Sequence, residues 1–217
     1  MFHRTDKINH AEKELMAAEE ALNNAKPGYS TDGLFWIDPW SAHGQEVSAK
    51  VLPVARDLRL HAEHAIELLA QVRQQNPDLK ETAALTAMDL GARRLDLIGM
   101  KFQLAQEIVD GYAMALAHQH DKAQHATVAN ALGEISGNNG RCEDLRDAYS
   151  AVKAEYSQVW LSENRPYWLN NVTVRYDLEI EKWQRRGAAF EDGVRDWHLG
   201  KDLPSPSSLG LPASAGH

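Results

Sequence analysis

Cysteine is nearly absent from this chain. Cys142 is the only one in 217 residues, so no internal disulfide can form. It lies in Gly140-Arg141-Cys142-Glu143-Asp144. The two carboxylates raise a thiol pKa while Arg141 opposes them, which reads as a structural cysteine at a helix start rather than a nucleophile. Long apolar runs are missing as well. No stretch approaches the roughly 18 apolar residues of a membrane-spanning helix, and mean hydropathy is −0.49. A basic excess is missing too: 23 Lys and Arg stand against 31 Asp and Glu, for a formal net charge of −8. The basic residues are scattered, so no patch is available to neutralise phosphates and nucleic acid is excluded as a partner. The N-terminus has no apolar signal segment. A complete chain of this kind is expected in the cytoplasm, and a piece of an exported protein in the periplasm or outside the cell.

Catalytic motifs are equally scarce. Gly193 and Gly200-Lys201 have six residues between them, where a phosphate-binding loop needs four, and Asp202 follows instead of Ser or Thr. There is no Gly-x-Ser-x-Gly elbow. Asn171-Val172-Thr173 is a formal glycosylation sequon of a kind that recurs by chance. Ten histidines invite a metal reading. A di-iron bundle site takes Glu-x-x-His from two helices, and no histidine here has a glutamate three residues before it. A rival reading is a metal-dependent bundle enzyme using His61, His64, Glu63 and Glu67. His118, His120 and His125 cluster where cations complement a helix end. The bland reading, surface and capping groups, leads us to expect no metal and no cofactor.

What the chain does have is helical periodicity. Ile8, Ala11, Leu15, Ala18 and Leu22 form an apolar stripe on a helix capped by Thr5 or Asp6 and ended by Pro27-Gly28. A second helix, capped by Ser41, repeats at Val51, Ala55, Leu58, Ala62, Ala65, Leu69 and Val72, with Pro53 best placed in its first turn. The third and longest spans about 78–118, with Leu85, Met88, Ala92, Leu95, Gly99, Phe102 and Val109 on its seam. Helices over about 124–135, 143–163 and 168–197 follow, separated by Ser136-Gly137-Asn138-Asn139-Gly140 and by Pro166. No segment alternates like a strand, and no repeat of 20–50 residues is present. These features predict an all-α fold: an antiparallel bundle of four to five long helices over residues 1–199. Residues 27–44 read as an aromatic docking loop. Residues 200–217, rich in Pro, Ser, Gly and Ala, read as a disordered tail.

Two groups of residues stand out. Asp89 and Arg93 are four apart, the spacing of a helix-face ion pair, and Arg94 and Asp96 lie beside them. These four read as structural ion pairs. The second group is aromatic. Trp36 and Trp40 lie in the Pro- and Gly-bearing loop. Trp160, Tyr167 and Trp168 are interleaved with Asn164 and Arg165. Aromatic faces beside amides and arginine suit a protein interface or carbohydrate stacking, and the same residues could form core. The two aromatic segments are therefore expected to form one surface that docks against a missing domain or partner chain.

Within that group, Trp160-Leu161-Ser162-Glu163-Asn164-Arg165-Pro166-Tyr167-Trp168-Leu169 resembles a WL-ENRP-L element. That element joins two late helices after the catalytic barrel in bacterial relatives of family 20 glycoside hydrolases, the β-N-acetylhexosaminidases. Leu90-Gly91-Ala92-Arg93-Arg94-Leu95-Asp96 resembles their GARRLD segment, and the likeness covers about residues 85–180. It implies a helical C-terminal domain supporting a catalytic barrel. Such hexosaminidases use an adjacent Asp-Glu pair on a barrel strand, outside the usual two-carboxylate scheme. No Asp-Glu dipeptide occurs here, and a barrel alone takes about 250 residues. No catalytic residue carries over and no activity is expected of this chain alone. A parent protein would be a glycosidase. The alternative is a free-standing interaction or carbohydrate-binding module.

Overall fold

The computed structural model describes residues 2–79 and 82–212. Among them are seven α-helices and no strand: α1 (Phe2–Asn24), α2 (Thr31–Trp36), α3 (Ala42–Gln75), α4 (Ala83–His118), α5 (His125–Ser136), α6 (Arg141–Glu163) and α7 (Leu169–His198). A short 3-10 turn, Pro206–Leu209, follows. The protein is an all-α bundle. Five helices are long and two are short.

Side-chain pairs fix the direction of each neighbour. Lys7 donates to Gln71 and Gln75, whereas Glu14 meets His61, so α1 and α3 run antiparallel. Arg73 meets Asp89 and Arg59 meets Gln103, which makes α3 and α4 antiparallel. Arg93 with Glu155 and Arg141 with Glu107 do the same for α4 and α6. Lys153 with Asp177 sets α6 against α7. A Cβ on Gly99 would lie 2.5 Å from Arg59 Cγ and 3.0 Å from the Ala55 carbonyl, so α3 and α4 approach closely there.

The α3 seam does what its spacing predicts: Val51, Ala55, Leu58, Ala62, Ala65, Leu69 and Val72 are all buried. On α4 the predicted line holds at Leu85, Ala92, Leu95 and Phe102 but then shifts to Ala105, Ile108 and Tyr112, leaving Met88 and Val109 only half-buried. The main core adds large aromatics, Phe35, Tyr112, Tyr149, Tyr176, Trp183 and Phe190. A smaller cluster of Ala11, Leu68, Leu69, Val72 and Leu85 closes the other end.

Several expectations need correction. Helix α1 begins at Phe2, so Asp6 lies inside it rather than capping it. Helix α3 is regular from Ala42, where the Ser41 side chain accepts from Gly44 N, and Pro53 is interior. Pro53 and Ala49 are both exposed, so water can satisfy the carbonyl that the missing N–H leaves free. The 27–44 segment is no open loop. It contains α2, capped by Ser30, and it folds onto its own bundle. The expected disordered tail is ordered and packed over residues 201–212. Leu203, Leu209 and Leu211 are buried, Tyr112 donates to the Pro204 carbonyl and Leu203 N–H donates to Gln119. Residues 213–217 of that tail lie outside the described residues.

Candidate functional site

Helix α2 has only six residues, so its C-terminal carbonyls need partners from elsewhere. Lys101, fully buried in the middle of α4, supplies them. Its ammonium donates to the carbonyls of Leu34 at 2.6 Å, Phe35 at 3.0 Å and Ile37 at 2.8 Å. Three acceptors match the three protons of an ammonium. Burial works against the charge and pulls its pKa down to about 7, with Glu179 opposing. Arg94 adds a second hold: it pairs with Asp32 at 2.7 Å and lies 4.6 Å from the centre of the Phe35 ring. Arg175 lies 4.2 Å from the Trp36 ring.

Trp40 is core, not surface. Its indole N–H donates to the Ala105 carbonyl at 3.2 Å, and its ring meets Trp183 edge to face. Arg186 packs on both rings and pairs with Asp38 at 2.7 Å. Gly44 makes this fold-back possible, because a Cβ there would sit 1.8 Å from the Asp38 carbonyl oxygen. Trp36 is half-buried, and its indole N–H donates to Asp32 at 3.1 Å. The loop expected to dock outward therefore caps its own bundle.

The second aromatic segment behaves differently. Helix α6 ends at Asn164, whose N–H bonds the Trp160 carbonyl. The Trp160 indole donates to the Arg165 carbonyl at 3.0 Å, and its half-buried ring stacks on Tyr156. Beyond this hydrogen-bonded corner, Asn164, Arg165, Tyr167 and Trp168 are all exposed. Tyr167 is 73% exposed, Trp168 59% and Leu161 50%, in contrast to the aromatics of the core. Trp168 sits at φ +67°, in the left-handed region that a bulky residue rarely occupies. The single docking surface expected from the two segments thus splits: Trp36 and Trp40 belong to the bundle, and the α6–α7 corner faces out.

The four charged residues Asp89, Arg93, Arg94 and Asp96 of α4 are all held in ion pairs, to three other helices. Asp89 meets Arg73 of α3 at 2.7 Å and Arg93 of its own helix at 3.4 Å. Arg93 reaches Glu155 of α6, Arg94 reaches Asp32 of α2, and Asp96 meets Arg59 of α3 at 2.8 Å. The Gly91–Asp96 segment is thus the point where α4 is tied to three other helices.

Carboxylates line a groove of about 310 Å³ between α4 and α5, with Glu107, Asp110 and Glu134, and Glu143 and Glu191 line another beside Cys142. Arg141 spans two of them, 2.9 Å from Glu107 and 3.4 Å from Glu134. Cys142 is buried, and burial pushes its thiol up to about 12, with Arg186 pulling down and Glu191 adding to the rise.

The histidine cluster forms with a different acid from the one expected. Glu63 turns to Arg59 and Glu67 is exposed. Glu14 of α1 instead comes to His61 and His64 of α3. His61 Nδ1 is 2.6 Å from Glu14 Oε2, while His64 Nδ1 and His10 Nε2 are each 3.2 Å from Oε1. Hydrogen bonding to His61 holds Glu14 below the usual glutamate range. Burial opposes it, and charge on His64, His61 and His10 reinforces it.

No protein-family model, curated protein or solved structure matches this chain.

Proposed function

We propose that this chain is a non-catalytic helical module that docks onto a partner through the α6–α7 corner, and that the partner is the catalytic barrel of a β-N-acetylhexosaminidase-like glycoside hydrolase. One observation carries the reading. The two distinctive segments of the sequence have different fates. The Gly91–Asp96 charges are consumed inside the bundle. The Asn164–Trp168 segment gives the bundle little: Tyr167 and Trp168 stay exposed, and the Trp168 backbone is strained. Exposed aromatics beside an arginine have the composition of an interface anchor. The resemblance of Trp160–Leu169 to the element after a hexosaminidase barrel supports that choice of partner.

The test is binding to a purified family 20 barrel lacking its own helical C-terminal region. A complex is expected, and Tyr167→Ser with Trp168→Gly should abolish it without lowering the melting temperature of the chain. The chain alone should not turn over a chromogenic N-acetylglucosaminide. No complex, or one indifferent to the double variant, overturns the reading. Retention on a chitooligosaccharide column through the same two residues would replace it with a carbohydrate-binding module.

A further inference from the structure

Helix α1 leans mainly on α3, with a smaller contact to α4, and among its residues with described burial the buried apolar ones are Ala11, Ala18 and Leu22, two of them alanines. Polar groups line the solvent-facing edge of this thin seam. His10 and Glu14, one turn apart on α1, face His61 and His64, three apart on α3. One ligand atom from each of His10, Glu14 and His64 lies within 4.8 Å of the other two. The His10 and His64 rings meet edge to face at 5.1 Å between centroids.

We propose that His10, Glu14 and His64 form a zinc-class metal site that pins α1 to α3. Around a tetrahedral ion with bonds of about 2.0–2.2 Å, ligand atoms sit roughly 3.3 Å apart. The present spacing therefore needs only small side-chain rotations to close. Two imidazoles and a carboxylate suit Zn2+, Co2+ or Ni2+, whereas Mg2+ and Ca2+ call for oxygen ligands. Two of the three ligands come from one helix at an i,i+4 spacing and the third from its neighbour. The two histidine nitrogens converge on one carboxylate oxygen, Oε1, so the three groups already face a common point. His61 grips the other oxygen, Oε2, and orients the carboxylate from behind. Glu14 is the inner member at 15% side-chain exposure, while His10 at 52% and His64 at 45% leave an entry path from solvent. The fourth position of the ion then falls to water. Because the ligands span α1 and α3, the ion stabilises the folded chain in proportion to its occupancy.

The experiment uses the full chain, stripped with a chelator and titrated with ZnCl2 by calorimetry and thermal melting. One equivalent should bind, and the melting temperature should rise with free zinc. MgCl2 should do neither. Loading with Co2+ should give visible d–d bands. His10→Ala and His64→Ala, at exposed positions where folding is not at risk, should each weaken binding more than tenfold. His61→Ala should weaken it about tenfold, as an orienting residue does. His43→Ala, on the solvent-facing start of α3, should leave it unchanged. An absence of saturable zinc binding overturns the proposal. So does binding that survives His10→Ala and His64→Ala, or that His43→Ala removes equally.

Discussion

Lys101 of α4 and Tyr149 of α6 donate to the same carbonyl oxygen, that of Phe35 at the end of α2, at 3.0 Å and 2.7 Å. Two long helices thereby hold one peptide group in the middle of the core. The aromatic segment is fixed by polar contacts at its backbone, and its rings then fill the space between Tyr149 and Tyr176.

Replacing Lys101 with Met keeps most of the volume and removes the donor. The carbonyls of Leu34, Phe35 and Ile37 then lose their Lys101 partner. Each buried acceptor left unsatisfied costs about 1–3 kcal/mol, offset in part because the desolvation cost of a buried charge also disappears. Lys101→Met is therefore expected to destabilise by roughly 3 kcal/mol in urea unfolding. Tyr149→Phe should cost about 1 kcal/mol, because Lys101 still serves the same oxygen. A Lys101→Met variant as stable as the parent would show that the ammonium does not hold α2.

Much of the bundle was legible in the sequence. The seam of α3 and the helix ends at Pro166 and at Ser136–Gly140 were set by local periodicity and turn residues, and local rules suffice there. The docked segment was not legible, because its partner is remote. A lysine between Ile98 and Phe102, on a face that also carries Ala105, marks a core position holding a charge. Such a residue signals that backbone carbonyls must come to meet it. The tail misled for a related reason. Its Pro, Ser and Gly content suggests disorder, yet Leu203, Leu209 and Leu211 supply enough apolar surface to settle it on α4 and α7. The Glu14 cluster depends on the register between α1 and α3, which no local pattern encodes.

Acid should act through Asp38. Its carboxyl is desolvated, which raises its pKa. Attraction and hydrogen bonding to Arg186, the Trp40 N–H and the charge of Lys182 more than offset this and hold it below the usual aspartate range. A group with a depressed folded pKa contributes stability above its unfolded value, and that contribution is lost as pH falls through the folded value. The Asp38–Arg186 contribution is thus present above about pH 4 and fades below it. Asp38→Asn should lower the urea midpoint at pH 7 and flatten its decline between pH 5 and 3. An acid limb of unchanged slope would place the sensitive carboxylates elsewhere.

Cys142 tests the packing between α6 and α7. The thiol is buried, and its Cβ lies 3.3 Å from where a Cβ on Gly187 would be. With its pKa pushed up to about 12, the thiolate is scarce at neutral pH. The native chain should resist a chromogenic disulfide reagent at mildly alkaline pH and react stoichiometrically in concentrated guanidinium. The native rate should follow the opening equilibrium and fall as stability rises. Fast labelling of the folded chain would mean that α6 and α7 are less tightly joined near Gly187 than the structure shows.

Trp168 offers the sharpest separation of stability from docking. At φ +67° a residue with a Cβ carries a cost of about 1–2 kcal/mol that glycine escapes. The indole is 59% exposed, so it returns only part of its burial energy to the bundle. Trp168→Ala discards the ring and keeps the strain, whereas Trp168→Gly discards both. The glycine variant should therefore unfold at higher denaturant than the alanine variant, by about 1 kcal/mol, and should come close to or exceed the parent. Both variants should lose binding to the proposed barrel to the same extent, since neither retains the ring. Alanine and glycine variants of equal stability would remove the strain argument. A glycine variant that still binds would remove Trp168 from the docking surface and leave Tyr167 and Arg165 to carry it.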